Sequence, residues 1–289
     1  MNLKNLSLAL IAPVCWGMSF TLAKPAVQHF PPLFLMLMVY AAIAGIMALT
    51  QHESFQTPWP HLLLISALAV TIQGALLFYA VRDVEATTAN LVLQSQVPAA
   101  VILGWLIAGE KLDAAKVVGT LIAIVGVGIV IGLPEHRPPL VPVLMIVVSG
   151  FVWAAGQVCA RLYSKDSGLM ILKGNAYFGV PQLLLATLLL EHGQLQAVQS
   201  ATLSMWMLLL FVGFVGFYLA YASWFSALKI MRVDEVVPFV LLMTPVGLIT
   251  AVVFLGETIT SVQYVGGGVL MLGLAIVNGL LRVPKFTSA

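Results

Sequence analysis

The sequence predicts an all-α integral membrane protein, with ten transmembrane helices arranged as two inverted five-helix repeats around a central cavity. Of its 289 residues, 61% are hydrophobic and only 8% are charged, whereas a soluble domain carries about 25% charged residues. Ten apolar runs are long enough to cross a bilayer, and part of the pattern occurs twice at a constant spacing. Water therefore cannot be the solvent for most of this surface.

The ten apolar runs set the predicted architecture. A helix that crosses the hydrocarbon core of a bilayer needs about 20 mostly apolar residues. The runs lie at residues 6–23, 33–50, 61–81, 86–108, 114–132, 140–162, 170–190, 203–228, 234–255 and 261–281. Pro25 and Pro31-Pro32 are expected to form a stiff connection between the first two helices. Ten spans of this length leave fewer than about ten residues for each connection or tail, so no soluble domain is expected beside them.

An internal duplication organises the chain. The stretch 75–132 returns at 222–279, with a constant offset of 147 and no gap. The matching positions are those that interrupt or end helices: Pro98 with Pro245, Gly109-Glu110 with Gly256-Glu257, Gly119 with Gly266, and Gly126 with Gly273. A repeat at a fixed period indicates that one structural unit occurs twice. We therefore predict two halves of five helices each, residues 1–138 and 139–289.

The positions of Lys and Arg predict the orientation, because cytoplasmic loops of membrane proteins are enriched in both. With the N-terminus in the cytoplasm, ten basic residues fall on the cytoplasmic side: Lys4, Lys111, Lys116, Arg161, Lys165, Lys173, Lys229, Arg232, Arg282 and Lys285. Three fall on the outer side: Lys24, Arg82 and Arg137. Both termini are therefore predicted to be cytoplasmic. Because five spans is an odd number, the second half must cross in the opposite sense, which is typical of secondary transporters.

Both halves resemble the EamA repeat of the drug/metabolite transporter superfamily. The residues that carry the resemblance in the first half are Trp16-Gly17, Lys24, Pro31-Pro32, Phe78-Tyr79-Ala80, the run Ala86 to Asn90, Pro98, Gly109-Glu110, Gly119 and Gly126. Those in the second half are Trp153, Arg161, Phe225-Ser226-Ala227, Pro245, Gly256-Glu257 and Gly266. Tyr40 departs from the pattern, because many relatives carry Arg there.

The resemblance implies ten helices, a central cavity between two inverted bundles, and alternating access. Within the superfamily the chain is similar to the bacterial amino-acid exporters, especially those for aromatic amino acids. This implies a secondary transporter of the bacterial inner membrane that exports neutral, aromatic or large apolar amino acids. Export of another uncharged metabolite, a nucleoside or a drug is the alternative.

The ionisable residues fall at the ends of the predicted helices or between them, which narrows the ligand chemistry. An ionisable group deep in a bilayer is costly and usually marks an ion pathway or a charged ligand. A lipophilic cation would need a buried carboxylate, a sugar phosphate would need buried Lys or Arg, and a conventional proton antiporter would need a titratable group near the midplane. We therefore expect a neutral or zwitterionic substrate and no obligatory proton.

Uncharged polar and aromatic residues inside the spans are the candidate substrate ligands. They are Trp16, Phe20, Gln73, Tyr79, Asn90, Gln94, Trp153, Gln157, Tyr177, Tyr221, Trp224 and Thr244. Rings would stack on an apolar side chain, while amides and hydroxyls would bind amino and carboxylate groups. The alternatives are helix packing for each ring and interhelical hydrogen bonding for each amide. Pro98 and Pro245 would each free the carbonyl four residues earlier, which predicts a hinge or a cavity wall.

No catalytic residue, metal ligand or cofactor is predicted, and the protein is not expected to be an enzyme. The sequence has no His-Glu-x-x-His pair and no nucleotide-binding loop. Cys15 and Cys159 lie inside apolar runs, so we expect small buried side chains rather than a metal site. The expected partners are a small-molecule substrate and the lipid bilayer. A net charge of +2 argues against nucleic acid, and a monomer can work because one chain holds both halves.

Overall fold

The computed structural model describes residues 3–132, 138–231 and 236–281, which fold into helices joined by short connections. The helices are α1 (Leu3–His29), α2 (Pro32–Thr50), α3 (Trp59–Asp83), α4 (Ala86–Ala108), α5 (Ala114–Gly132), α6 (Leu140–Tyr163), α7 (Gly168–Leu190), α8 (Gln194–Ser200), α9 (Leu203–Leu210, Phe211–Leu219 and Ala220–Ile230), α10 (Val237–Leu242 and Met243–Leu255) and α11 (Ser261–Val277). Four basic residues used to predict the orientation lie outside the described residues: Arg137, Arg232, Arg282 and Lys285.

Each predicted apolar run overlaps a helix of the described structure. Within the described ranges, seven helices, α1 to α6 and α9, are long and apolar enough to cross a membrane. α7 has 23 residues, and two shorter apolar helices cover Phe239–Leu255 and Ser261–Val277. The all-helical class is confirmed for the part of the chain that the structure describes, while the count of ten spans stays a prediction.

The first helix is longer than the sequence predicts. α1 continues through Pro25 to His29, so the predicted connection at Pro25 is wrong. A proline inside a helix removes one backbone hydrogen bond, which a membrane helix tolerates when neighbouring groups satisfy the freed carbonyl. The N–H of Phe30 still donates to the Ala26 carbonyl at 2.8 Å. The chain turns only at Pro31, and α2 then begins at Pro32.

α4 and α10 are interrupted at matching positions, as the repeat predicts. α4 is broken by a turn at residues 94–95, shortly before Pro98. α10 starts as a 3₁₀ helix over Val237–Leu242 and becomes α-helical shortly before Pro245. Each proline lacks the N–H that would bind the carbonyl four residues earlier, so regular α-helical bonding is lost there.

A glycine closes the C-terminus of each of these two helices in the same way. Gly109 and Gly256 have φ angles of 66° and 67°, a left-handed conformation that glycine adopts without a Cβ penalty. The N–H groups of Glu110 and Glu257 then donate to carbonyls six residues earlier, at 3.1 and 3.2 Å. The two glutamates therefore leave their helices in equivalent geometry.

α3 and α9 each contain a π-helical segment at the matching position, Ala67–Ile72 and Phe211–Leu219. The first helix of the opposite half crosses at each segment. An added Cβ on Gly156 of α6 would lie 3.0 Å from the α3 segment, and one on Gly216 of the α9 segment would lie 2.4 Å from Ser19 of α1. Such π-segments occur frequently at functional sites, and here the two halves share the irregularity.

The first helix of each half packs against helices of the other half. α1 packs against α9 and α10 of the second half, and its counterpart α6 packs against α3 and α4 of the first half. α2 packs along α7, and α5 packs along α11. The boundary between the halves therefore passes between α1 and α9–α10 and between α6 and α3–α4.

Matched glycines let α5 and α11 approach closely. An added Cβ on Gly119 would lie 2.7 Å from the Gly273 carbonyl oxygen, and one on Gly126 would lie 2.4 Å from the Leu270 nitrogen. Small residues permit such backbone contact in membranes, where packing between helices replaces the hydrophobic driving force. The packing role of these repeated glycines is therefore visible in the structure.

Replacing Gly126 with alanine should weaken the α5–α11 contact. The new methyl group would collide with backbone atoms of Leu270, and overpacking of this kind typically costs about 1–3 kcal/mol. Gly128→Ala is the matched control on the same helix, because nothing lies within 4 Å of its added Cβ. Thermal unfolding in detergent should show a lower melting temperature for Gly126→Ala only. Equal melting temperatures for the two variants would contradict the close contact.

Candidate functional site

A cluster of aromatic rings, Trp16, Tyr221 and Trp224, joins α1 of the first half to α9 of the second. The Trp16 ring lies edge-on to Tyr221 with centroids 5.3 Å apart, and its centroid is 5.7 Å from that of Trp224. Tyr221 and Trp224 share one face of α9 because they are separated by three positions. All three rings are partly buried. Three predicted substrate residues that are distant in sequence therefore lie together.

One turn further along α1, Thr21 connects this helix to α4 and α10. Its hydroxyl donates to the Gly247 carbonyl at 3.0 Å, and the Asn90 amide donates to the Thr21 oxygen at 2.9 Å. The Asn90 side chain is buried and fills the space that a Cβ on Gly247 would occupy. Asn90 thus makes the interhelical hydrogen bond that was the alternative to substrate binding. Phe20, the neighbour of Thr21, is partly buried against the core.

Gln94 and Thr244 bring the two helix interruptions together. The Gln94 amide donates to the Thr244 hydroxyl at 2.7 Å, and the two residues are only 3% and 1% exposed. Gln94 lies in the turn that breaks α4, and Thr244 directly precedes Pro245 of α10. The Gln94 carbonyl, which Pro98 cannot bind, accepts instead from the Val97 N–H at 3.0 Å. The two helix interruptions therefore meet at the boundary between the halves.

Trp153 and Gln157 lie on α6, the helix that packs against α3 and α4. On that helix, Gly150 packs against the break in α4 and Gly156 against the π-segment of α3. Trp153 is partly buried and Gln157 is exposed. Gln73 directly follows the π-segment of α3 and is buried. These residues form a second group of predicted ligands, contributed by α3 and α6.

Tyr79 and Tyr177 lie at opposite ends of α2, apart from the aromatic cluster. The Tyr79 hydroxyl donates to Glu191 at 2.8 Å beside the N-terminus of α2. The Tyr177 ring centroid lies 6.2 Å from that of Phe55 and 5.5 Å from the Lys173 ammonium, which donates to carbonyls just beyond the C-terminus of α2. The structure therefore does not bring these two tyrosines to the other candidates.

Glu191 is a buried carboxylate that the sequence pattern does not single out. Its Oε1 accepts hydrogen bonds from the Leu33 N–H and the Tyr79 hydroxyl, both at 2.8 Å. Its Oε2 accepts from the Phe34 N–H at 3.0 Å and the Thr187 hydroxyl at 2.7 Å. Glu191 thereby closes the N-terminus of α2 and ties it to α3 and α7. In sequence, a lone carboxylate after an apolar run looks like an exposed loop residue.

Two ion pairs join the halves at opposite ends of α4. The Lys24 ammonium lies 2.9 Å from Glu257, and the two side chains are 17% and 12% exposed. Arg161 pairs with Glu110, and those side chains are 66% and 30% exposed. Lys24 and Arg161 occupy equivalent positions in the two halves, as do Glu110 and Glu257. The two ion pairs are therefore equivalent contacts in the two repeats, and they differ in how deeply they are buried.

Glu257 also caps the N-terminus of α4. Its Oε1 and Oε2 accept hydrogen bonds from the N–H groups of Ala86 and Thr87, both at 2.8 Å. Burial raises the pKa of Glu257, but the hydrogen bonds from Lys24 and the two backbone N–H groups lower it by more, so the pKa lies below its ordinary value of 4.5. The carboxylate is therefore held in its ionised form.

Long apolar helices in two similarly packed halves, with aromatic and amide side chains at their boundary, define the class as a multi-pass membrane transporter. The model of the EamA-like transporter family matches the chain twice, over residues 3–132 and 140–279. The chain therefore belongs to the EamA-like transporter family. This family consists of transporters rather than enzymes, as the sequence predicts.

Three named relatives cover most of the chain or nearly all of it. A Salmonella typhimurium protein named "Probable amino-acid metabolite efflux pump" is 30% identical over 96% of this chain and 95% of its own length. An Escherichia coli protein of the same name is 28% identical over the same shares. A Streptantibioticus cattleyicolor protein named "Probable terminal-alkyne amino-acid exporter" is 25% identical over 76% of this chain and 73% of its own. The chain resembles amino-acid exporters of the drug/metabolite transporter superfamily.

A solved crystal structure shares the fold. It covers 95% of this chain and 99% of its own with a TM-score of 0.67, at 19% sequence identity. At that identity the likeness concerns the fold alone.

Acid should release the Glu257 cap. Because the pKa is lower in the folded protein, the stabilisation is fully present above about pH 4.5 and is lost as the pH falls through the folded pKa. In detergent, the melting temperature of the wild type should therefore fall more steeply below pH 4.5 than that of Glu257→Gln. Glu53→Gln, at an exposed side chain, is the control and should follow the wild type. Parallel curves for wild type and Glu257→Gln would contradict the role of the carboxylate.

Proposed function

We propose that this protein is a secondary transporter that exports neutral amino acids, with preference for aromatic or large apolar side chains. It acts by alternating access through a central cavity formed by ten spans, in two inverted repeats at residues 1–138 and 139–289. It resides in the bacterial inner membrane with both termini in the cytoplasm. The observation that carries the proposal is the aromatic cluster, where predicted substrate side chains from both halves meet. The names of the relatives support export of amino acids.

The aromatic cluster suits a substrate with an apolar side chain. Trp16, Tyr221 and Trp224 provide ring faces and edges on which an aromatic side chain gains offset or edge-to-face contact. In the proposed complex, Trp153 and the exposed amide of Gln157 are the contribution of α6. Amides offer both donors and acceptors, which a zwitterion requires for its carboxylate and its ammonium.

The buried amide pairs have a different proposed role. Gln94 and Thr244 bind each other, and Asn90 binds Thr21. In a substrate complex these hydrogen-bonded pairs would keep α1, α4 and α10 aligned with one another. The nearby breaks at Pro98 and Pro245 would allow α4 and α10 to flex. Matched interruptions in the two halves of a transporter commonly mark the binding region. We place the hinges of alternating access at these breaks.

The two ion pairs are suitable gates for alternating access. Both join the halves, and they lie at opposite ends of α4. A rocking movement of one half against the other would separate one pair while the other stays closed. The Lys24–Glu257 pair is the more buried, so this arrangement has its predicted outer end more firmly closed.

Counterflow into proteoliposomes loaded with unlabelled amino acid tests the substrate class. Labelled phenylalanine and tryptophan should accumulate fastest, threonine more slowly, and lysine not at all, because the site holds rings and amides without a carboxylate for a second ammonium. Liposomes without protein provide the baseline. Transport of lysine alone would contradict the proposal, and transport of a nucleoside without any amino acid would favour the alternative substrate class.

Trp16→Ala should lower the transport rate for phenylalanine about tenfold or more at low concentration. A buried ring contributes about 1.5–3 kcal/mol, and each 1.4 kcal/mol corresponds to about tenfold in affinity. Trp105→Ala is the matched control, because Trp105 on α4 is 50% exposed. Counterflow with both variants at equal protein amounts gives the comparison. A normal rate for Trp16→Ala would remove the aromatic cluster from the site.

Transport should not require a proton gradient. Glu257 at the boundary accepts three hydrogen bonds, from the Lys24 ammonium and from the N–H groups of Ala86 and Thr87, and its pKa lies below the ordinary value. Hydrogen bonds to the charged form oppose protonation at neutral pH. Counterflow of phenylalanine at equal pH on both sides, with and without a protonophore, should give the same rate. Loss of transport with the protonophore would show an obligatory proton.

A further inference from the structure

A polar cavity of about 480 Å³ lies beside the N-terminus of α2, at the end of the molecule predicted to face outward. The ends of α1 and α3 line it from the first half, and the end of α7 with α8 lines it from the second. Its polar side chains include Gln28, His29, Tyr79, Arg82, Glu191 and His192. Small-molecule sites typically have about 300–1,000 Å³, so one small metabolite fits this volume.

Arg82 supplies an unpaired positive charge to this cavity. Its side chain is exposed and forms no ion pair within the part of the chain that the structure describes. It interacts electrostatically with the Tyr79 hydroxyl, which places the two groups on the same wall. A guanidinium offers a planar fork of N–H donors that matches a carboxylate. The Arg82 guanidinium is therefore suited to bind an anionic group of a ligand.

Glu191, the carboxylate of the same wall, is already fully engaged. A carboxylate has about four lone-pair sites, and Glu191 accepts four hydrogen bonds, two of them from the N–H groups that begin α2. It has no remaining site for a ligand ammonium. Its function in the cavity is to fix the position of Tyr79, which donates to it at 2.8 Å.

Tyr79 and His29 present acceptors to the cavity. The Tyr79 hydroxyl gives its proton to Glu191, so its oxygen lone pairs can accept from a ligand. The His29 Nε2 lies 2.9 Å from the Ala197 carbonyl oxygen. Because a carbonyl only accepts, Nε2 carries the proton and Nδ1 of the neutral ring is an acceptor. The cavity thus combines a carboxylate-binding cation with acceptors for an ammonium.

We propose that this cavity binds a free α-amino acid, with its carboxylate on Arg82 and its ammonium on the Tyr79 oxygen and His29 Nδ1. The site is separate from the aromatic cluster, because Trp16 and His29 lie roughly 20 Å apart along α1. Its use as an exit site for exported amino acids rests on the proposed function, whereas binding itself needs no transport.

Equilibrium binding of radiolabelled phenylalanine to the purified full-length protein tests the second site. The wild type should bind two molecules per chain, and Arg82→Gln and Trp16→Ala should each bind one. Arg82→Lys keeps the charge without the fork and should retain the outer site with weaker affinity. Lys165→Gln, which removes an exposed charge at the other end of the molecule, is the control and should bind two.

Competition in the Trp16→Ala variant isolates the chemistry of the outer site. Unlabelled phenylalanine should displace the label, while phenethylamine, which lacks the carboxylate, should compete at least tenfold more weakly. Two sites in Arg82→Gln, or equal displacement by phenethylamine, would overturn the inference and leave the export proposal intact. A single site that is lost in Arg82→Gln and kept in Trp16→Ala would support the outer site and contradict the role of the aromatic cluster.

Discussion

Buried helix ends need polar partners, and in this protein the second half supplies them to the first. Glu257 caps α4 through the N–H groups of Ala86 and Thr87, and Glu191 caps α2. At a more exposed position just before α3, Asp166 accepts from the N–H groups of residues 56 and 57. An unsatisfied N–H in a water-poor region costs several kcal/mol, so each carboxylate fixes both the helix that it caps and the half that carries it. The arrangement of the halves depends on these contacts.

The same need for polar partners applies to the helix breaks at the boundary between the halves, where we propose that transport takes place. Helix breaks at membrane depth are tolerated only where protein or a watery cavity satisfies the freed groups. At the break of α4 the Gln94 carbonyl accepts from the Val97 N–H, and the Gln94 side chain joins this break to that of α10 through Thr244. Trp16 lies one turn before Thr21 on the same helix, so the aromatic cluster and the breaks belong to one region. Movement of the breaks would therefore change the surroundings of the rings directly.

Local patterns allowed much of the fold to be predicted from sequence. Apolar runs fix where helices lie, prolines fix where bonding is lost, and repeated glycines mark close contacts, because each effect acts within a few residues. The partners of polar side chains depend on tertiary arrangement. Glu191 contacts Leu33 from far along the chain, and nothing near either residue indicates it. The prediction at Pro25 was wrong for the opposite reason. The local rule that a proline ends a helix applies there, but neighbouring helices support the continuation of α1 through Pro25.

The candidate site was predictable to the same extent. Trp16, Tyr221 and Trp224 are found together because spacing by three or four places residues on one helix face, and the repeat indicates which helices meet. Tyr79 and Tyr177 lie away from the aromatic cluster. Their positions could not be predicted, because membership of a transmembrane span does not define the depth of a ring in the membrane or the direction in which it points. Thr21 was missed because a single hydroxyl in an apolar helix usually bonds its own backbone.

The central claim is that Glu257 holds the halves together as a helix cap as well as an ion pair. The most direct measurement is the melting temperature of the charge-swapped double variant, Lys24→Glu with Glu257→Lys, beside both single variants and the wild type. An ammonium at position 257 cannot accept from the Ala86 and Thr87 N–H groups and opposes the dipole of α4. We predict that the double variant stays as unstable as Glu257→Lys. Recovery of the wild-type melting temperature would show a simple ion pair and contradict the account.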